Sequence, residues 1–421
     1  METKIFTNKI LGEDYTVTTL KNGLKIYIYE KLQFNSLYAV YGTKYGSIDS
    51  TFNVNGKEYT VPDGIAHFLE HKLFESEDGD AFSKYAKTGA YANAFTSFDR
   101  TCYLFSATTN FDENLNILLD FVQNPYFTAE TVKKEQGIIG QEIKMYEDSP
   151  SWRVMFNMLR AMYFNNPVKI DIAGTVESIA KIDDKILYDC YNTFYNPGNM
   201  FVCIAGNIKT NDVLEKIQNS VKNKEPINLT RIYPNEPNGV VNDYTEQSLD
   251  VAIPLFCYGY KINLQNKVSL YDFIAMNAFL KILADDASPL YKRLTELKLI
   301  NDEFDAEYFC GNSYSAVIFD GESFNPSQVA KEISREVESI IKNGVDSLLL
   351  ESVKYDMYGQ AVKRYNNVES IGHMLIDAAV FNFDYSNELE IIKNLTETDI
   401  LNAAALLNKE NSVLSVVNKK V

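Results

Sequence analysis

The chain has 421 residues, enough for two or more domains, and its 46% hydrophobic and 23% charged residues suit a soluble globular protein. A net charge of −17 argues against nucleic acid and anionic membranes as partners. The chain shows no apolar run long enough to span a membrane, no leader-like N-terminus and no C-x-x-C among its five cysteines, so a cytoplasmic protein with free thiols is expected.

Residues 14–32 alternate around Asn22-Gly23, which predicts a β-hairpin. Residues 36–46 read as a buried strand. The informative stretch follows: Asp63-Gly64-Ile65-Ala66-His67-Phe68-Leu69-Glu70-His71. It holds two of the only three histidines, four residues apart, so both imidazoles point at one spot from a helix. Glu70 projects from nearly the same side. Asp63 or Gly64 marks the helix start, and Leu69, Leu73 and Phe74 supply its apolar face. Two imidazoles and a carboxylate so placed are the groups that a zinc ion needs to make a nucleophile from water.

The order H-x-x-E-H inverts H-E-x-x-H. With the flanking run GIAHFLEHKLFE (64–75), the sequence resembles the pitrilysin/insulinase family of zinc peptidases, in a bacterial processing-peptidase-like branch of about this length.

Further along, residues 78–88 predict a short helix and 90–107 paired strands. Helices are expected at 110–122, at 128–147 up to Ser149-Pro150, at 151–164 and at 183–195, then a strand at 200–208. Residues 222–245 hold three prolines and many asparagines and read as a linker. The pattern then begins again. A strand-like stretch at 247–263 precedes helices at 268–284 and 288–298 and strands near 304–320. Helices at 326–342, 346–365, 369–381 and 397–407 follow, then a closing strand at 412–417. Both halves end alike, as YNPGNMFVCIAG and LNKENSVLSVV show, which predicts a duplicated α+β unit. The expected division is a zinc-binding peptidase domain over 1–225, a linker over 226–245, and a homologous domain without the metal motif over 246–421. The resemblance implies the same α+β fold, two homologous domains each with a sheet covered by helices on one side, enclosing a chamber.

A catalytic zinc takes three protein ligands and keeps one position open. His373, the remaining histidine, lies on an apolar helical face in the second half and reads as structural. Glu135 and Glu142 are two helical turns apart and share a face, but spacing alone leaves both as solvated charge. Here the resemblance speaks: EQGIIGQEIKMYE matches the family segment in which Glu142 is the third ligand. It places Glu135 beside a ligand histidine, which it would orient. With zinc held by His67, His71 and Glu142, Glu70 would be the general base.

The resemblance also implies that Asn93 and Ala94, in an edge-strand segment ANAFTS, meet the backbone of a peptide substrate, although an ordinary edge strand has the same pattern. Family members that act alone carry an Arg and a Tyr seven apart in the second half. Thr295 and Asp302 stand there in this chain, with Tyr291 and Arg293 nearby in the wrong order. The expected reading is therefore a zinc metalloendopeptidase of short unfolded peptides. A sister peptidase-like chain would supply the Arg/Tyr pair in a heterodimer, with a homodimer as the alternative. The competing reading is a non-proteolytic binding or scaffold subunit of a peptide-maturation or protein-modification complex.

Overall fold

Alternation from Glu13 to Glu30 does fold into a hairpin, in a computed structural model that describes residues 1–77, 79–263 and 267–420. Strands β1 (Glu2–Asn8), β2 (Glu13–Thr19) and β3 (Lys25–Glu30) run antiparallel in succession. The turn between β2 and β3 contains Gly23 at φ +89°, a conformation strained for other residues. Strand β4 (Leu37–Thr43) is buried at every position, as expected for 36–46. With β5 (Tyr91–Thr96), β6 (Thr101–Ala107) and β7 (Met200–Gly206) it completes a seven-stranded sheet in the order β1-β2-β3-β7-β4-β6-β5. Strand β7 runs parallel to β3 and antiparallel to β4, and β5 is left at an edge.

The second half repeats this threading. Strands β8 (Tyr244–Leu249), β9 (Leu255–Lys261), β10 (Asp305–Cys310), β11 (Ser315–Glu322) and β12 (Ser412–Lys419) form a sheet in the order β8-β12-β9-β11-β10. Its last strand likewise inserts parallel to the first and antiparallel to the second. The duplicated α+β unit is thus visible in topology. The expected stretch 247–263 is two strands, because Pro254 and its neighbours interrupt the ladder between Leu249 and Leu255. The helix expected over 78–88 is Ala81–Thr88, capped by Asp80, whose carboxylate accepts from the Phe82 N–H; residue 78 lies outside the described residues.

Contacts divide the chain into two units. One comprises Met1–Ile143, Asp171–Tyr233 and Val362–Asn387, the other Lys144–Ile170, Pro234–Ala361 and Glu388–Val421. Each unit holds one large sheet plus a helix from the opposite half of the sequence. In the first, Ile26, Ile28, Ala39, Tyr41, Val202 and Ile204 face the main core. Tyr38, one residue out of phase with Ala39, faces the other way, against the helix Val368–Phe381. There a Cβ on Gly372 would stand 2.2 Å from the Tyr38 ring, so only glycine permits this approach. In the second unit the helix Pro150–Met162 lies on β9, with Met158 and Met162 over Gly259. Residues 226–245 contain a short strand, Leu229–Arg231, paired with Thr51–Val54, and the start of β8. No helix among the described residues is long and apolar enough to cross a membrane.

The second unit closes around a buried ion pair. The Lys261 ammonium, 1% exposed, meets Glu236 at 2.6 Å and also donates to the carbonyls of Pro237 and Gly239. Glu236 in turn accepts from the backbone N–H groups of Phe164, Asn165 and Asn166. Burial pushes the Glu236 carboxyl up, but these donors outweigh it and hold it below the usual range. Glu236→Ala should lower stability by about 3–5 kcal/mol in denaturant titration, since it strands a buried ammonium. The wild-type contribution should persist above the unfolded carboxyl pKa and vanish as pH falls through the depressed folded value.

Candidate metal centre

The motif folds into helix α1 (Ile65–Leu73), entered through Gly64 at φ +87°. A Cβ on Gly64 would lie 2.3 Å from the Ala173 carbonyl oxygen, and one on Gly174 would lie 2.6 Å from that of Asp63. Two glycines therefore let the start of α1 touch a distant loop, and Ser178 secures the contact by donating to the Asp63 carbonyl at 2.8 Å. Ile65, Ala66, Phe68, Leu69 and Leu73 bury the inner face against β5 and β6. This leaves His67, Glu70 and His71 along one side.

The long helix α2 (Ala129–Asp148) crosses beside it. Val132, Glu135, Ile139 and Ile143 form its buried stripe at helical spacing. Glu135 sits within that stripe and Glu142 at its margin, two turns on. Glu147 and Asp148 are exposed, as solvated charge would be.

The two helices bring three ligand atoms together. His67, His71 and Glu142 each present one within 4.8 Å of the others. His67 Nε2 lies 3.6 Å from Glu142 Oε1, and His71 Nε2 lies 3.5 Å from Glu142 Oε2. A tetrahedral zinc with N and O ligands separates neighbouring ligand atoms by roughly 3.3–3.5 Å, so the donor set fits this ion in type and spacing. His71 Nδ1 lies 3.0 Å from Glu135 Oε1, and because a carboxylate accepts, the ring donates from Nδ1 in this contact. The Glu135 carboxylate thus fixes the orientation of the His71 ring. His373 is no part of the cluster. Its ring is exposed, beside Tyr38 and Phe95, and so is not packed into the core as a structural histidine would be.

Burial alone would depress the His71 pKa. The hydrogen bond to Glu135 and the charges of Glu70, Glu142 and Glu135 outweigh it and raise it. Three carboxylates beside two imidazoles make the site electronegative, and this favours positive charge there. Glu70 lies outside the ligand cluster, and its Oε2 accepts from the Thr96 hydroxyl at 2.6 Å. Thr96 went unremarked in the sequence, although its two-residue spacing from Ala94 puts both on the same face of β5. Asn93 is exposed on this edge strand, Ala94 is half-buried, and the Ala94 N–H donates to Asn93 Oδ1 at 2.9 Å. In the second unit Thr295 and Asp302 are both exposed. The nearby Arg293 is bound to Glu332 and Glu336 at 2.9 and 2.8 Å, and the Tyr291 ring lies 6.2 Å from Phe304.

Comparison with known proteins points the same way. The profile described as Insulinase (Peptidase family M16) matches residues 56–176, and that of the Peptidase M16 inactive domain matches 181–355. An uncharacterised zinc protease of Bacillus subtilis, YmfH, is 39% identical over 91% of both chains. A second from that organism, YmxG, is 27% identical over 84% of this chain and 86% of its own. The crystal structure of an M16-like peptidase from Alicyclobacillus acidocaldarius superposes with a TM-score of 0.93 at 31% identity, covering 96% of this chain and 98% of that one.

Because zinc must displace the His71 proton, affinity should rise with pH through the raised pKa of His71, with proton release measurable by calorimetry in buffers of different ionisation enthalpy. Without metal the sign reverses. The protonated His71–Glu135 pair stabilises the fold at low pH, and that contribution is lost as pH rises through the folded value. Glu135→Gln should weaken zinc binding about 10–100-fold without abolishing it.

Proposed function

The chain belongs to the insulinase family of zinc peptidases, peptidase family M16, and from that premise we propose that it is a zinc metalloendopeptidase acting on short, unfolded peptides. The observation that carries this reading is the convergence of His67, His71 and Glu142 with a further carboxylate, Glu70, beside them and outside the ligand set. A zinc ion bound there supplies Lewis acidity, which eases loss of a proton from water and polarises a carbonyl.

The protein's own groups do the rest. Glu70 takes a proton from the attacking water as the water oxygen bonds to the scissile carbonyl carbon. It then delivers that proton to the amine nitrogen as the C–N bond breaks. Strand β5 lies at a sheet edge, so an extended peptide can add to it as a further strand. The Ala94 N–H, bonded to the Asn93 side chain, would exchange that partner for a substrate carbonyl. This gives Asn93 and Ala94 their role in substrate binding and favours unfolded substrates over folded ones.

The second sheet repeats the fold without a second cluster of metal-binding groups among the described residues. Its Arg293 is committed to two glutamates, and Thr295 and Asp302 offer no cation and no phenol. We therefore assign the chain to the zinc-bearing side of a heterodimer whose sister chain supplies an Arg and a Tyr.

Glu70→Gln should retain zinc by elemental analysis while peptide turnover falls about 10²–10⁴-fold. Wild-type turnover in that variant would remove Glu70 as the base. Hydrolysis of a quenched peptide library should be weak for the lone chain and strong with a co-expressed zinc-free chain of the same fold. Full activity of the lone chain would end the heterodimer assignment.

A further inference from the structure

We propose that Thr96 is a positioning residue for Glu70, fixing which carboxylate oxygen carries the proton; this rests on the peptidase reading above. The argument starts from proton bookkeeping among three groups. Thr96 closes the edge strand β5, and its register partner across the hairpin is Thr101. The Thr101 hydroxyl donates to the Tyr45 carbonyl at 2.9 Å, which uses its only proton. Toward Thr96, 3.4 Å away, Thr101 is therefore left as an acceptor. Thr96 also has a single hydroxyl proton. The far shorter contact, 2.6 Å to Glu70 Oε2, takes it, because an ionised carboxylate only accepts.

Three consequences follow. First, Glu70 Oε2 is occupied by a donor, while Oε1 has no hydrogen bond among the described residues. Oε1 is then the oxygen that receives the water proton and hands it on. Second, Glu70 has rotatable bonds that a half-buried helix surface does not freeze. The Thr96 hydroxyl holds the side chain in one rotamer at the margin of the ligand cluster, so its ordering cost is met before substrate arrives. Third, the anchor lies two residues from Ala94 on the same strand. A peptide added to the edge of β5 is thereby placed in fixed register with the base, since one rigid segment carries both.

Thr96→Val keeps the β-branched shape and removes only the hydroxyl. The zinc-loaded protein should keep its zinc content and melting temperature, lose about 10- to 100-fold in kcat, and hold KM within about twofold. Thr96→Ser should restore kcat to within about threefold. Combined with Glu70→Gln, Thr96→Val should cost nothing further, because both act through one carboxylate. A readout independent of turnover is the crystal structure of the metal-free protein. Glu70 should occupy one rotamer with Oε2 on Thr96 in the wild type and spread over several in Thr96→Val. Unchanged kcat in Thr96→Val, an effect on KM alone, no rescue by serine, or an unmoved Glu70 would each overturn the proposal. A wild-type protein that binds zinc yet cleaves no peptide, with or without a sister chain, would sink the peptidase reading, and the crystal comparison would then decide the role of Thr96 by itself.

Discussion

The meeting of two imidazoles and one carboxylate from two crossing helices is the constraint on which the rest of this protein turns. His67 and His71 come from α1, Glu142 comes from α2, and the three reach ligand distance only if both helices are fixed to within a fraction of an ångström. Two devices fix them. The glycine contact at Gly64 and Gly174 sets where α1 begins, and the stripe of Val132, Glu135, Ile139 and Ile143 sets the rotation of α2. Glu135 ties the second device to the site, since it is buried in the stripe and also holds the His71 ring by a hydrogen bond. The electrostatic consequence is a cluster in which Glu70, Glu135 and Glu142 all favour positive charge on His71.

The duplication explains how such a site arises on one side only. Strands β3 to β7 of the first sheet are threaded like β8 to β12 of the second, and β5 and β10 are equivalent edge strands. In the first unit the edge strand lies beside α1 and hands a hydroxyl to Glu70. The second half has no H-x-x-E-H and no histidine apart from His373, so the same frame recurs there without the motif.

Much of this was legible in the chain itself, and for physical reasons. The hairpin at Asn22-Gly23, the buried strand β4 and the long helix α2 carry their periodicity in contiguous residues. The motif at 64–75 carries its chemistry in three side chains on one helical face. Glu142 needed more than spacing, because a glutamate on a helix surface looks alike whether or not another helix crosses over it. The paired strands Thr51–Val54 and Lys57–Thr60 were overlooked despite an Asn55-Gly56 turn with both residues at positive φ. So was the helix Thr210–Ser220, although Val213, Leu214 and Ile217 mark its buried face. The placement of Pro150–Met162 and Val368–Phe381 on sheets of the opposite halves was beyond reach. Their amphipathic patterns say that they bury a face, not which sheet receives it. The expected cut into residues 1–225 and 246–421 follows the repeat in sequence, whereas the compact units follow these helices.

The account stands or falls on whether one metal sits among these three side chains. Anomalous diffraction at the zinc edge from crystals of the zinc-loaded protein measures this directly. The account predicts a single strong peak, roughly 2.0–2.2 Å from His67 Nε2, His71 Nε2 and a carboxylate oxygen of Glu142, with Glu70 outside the coordination sphere. A peak elsewhere, or none in protein shown to contain zinc, would contradict it.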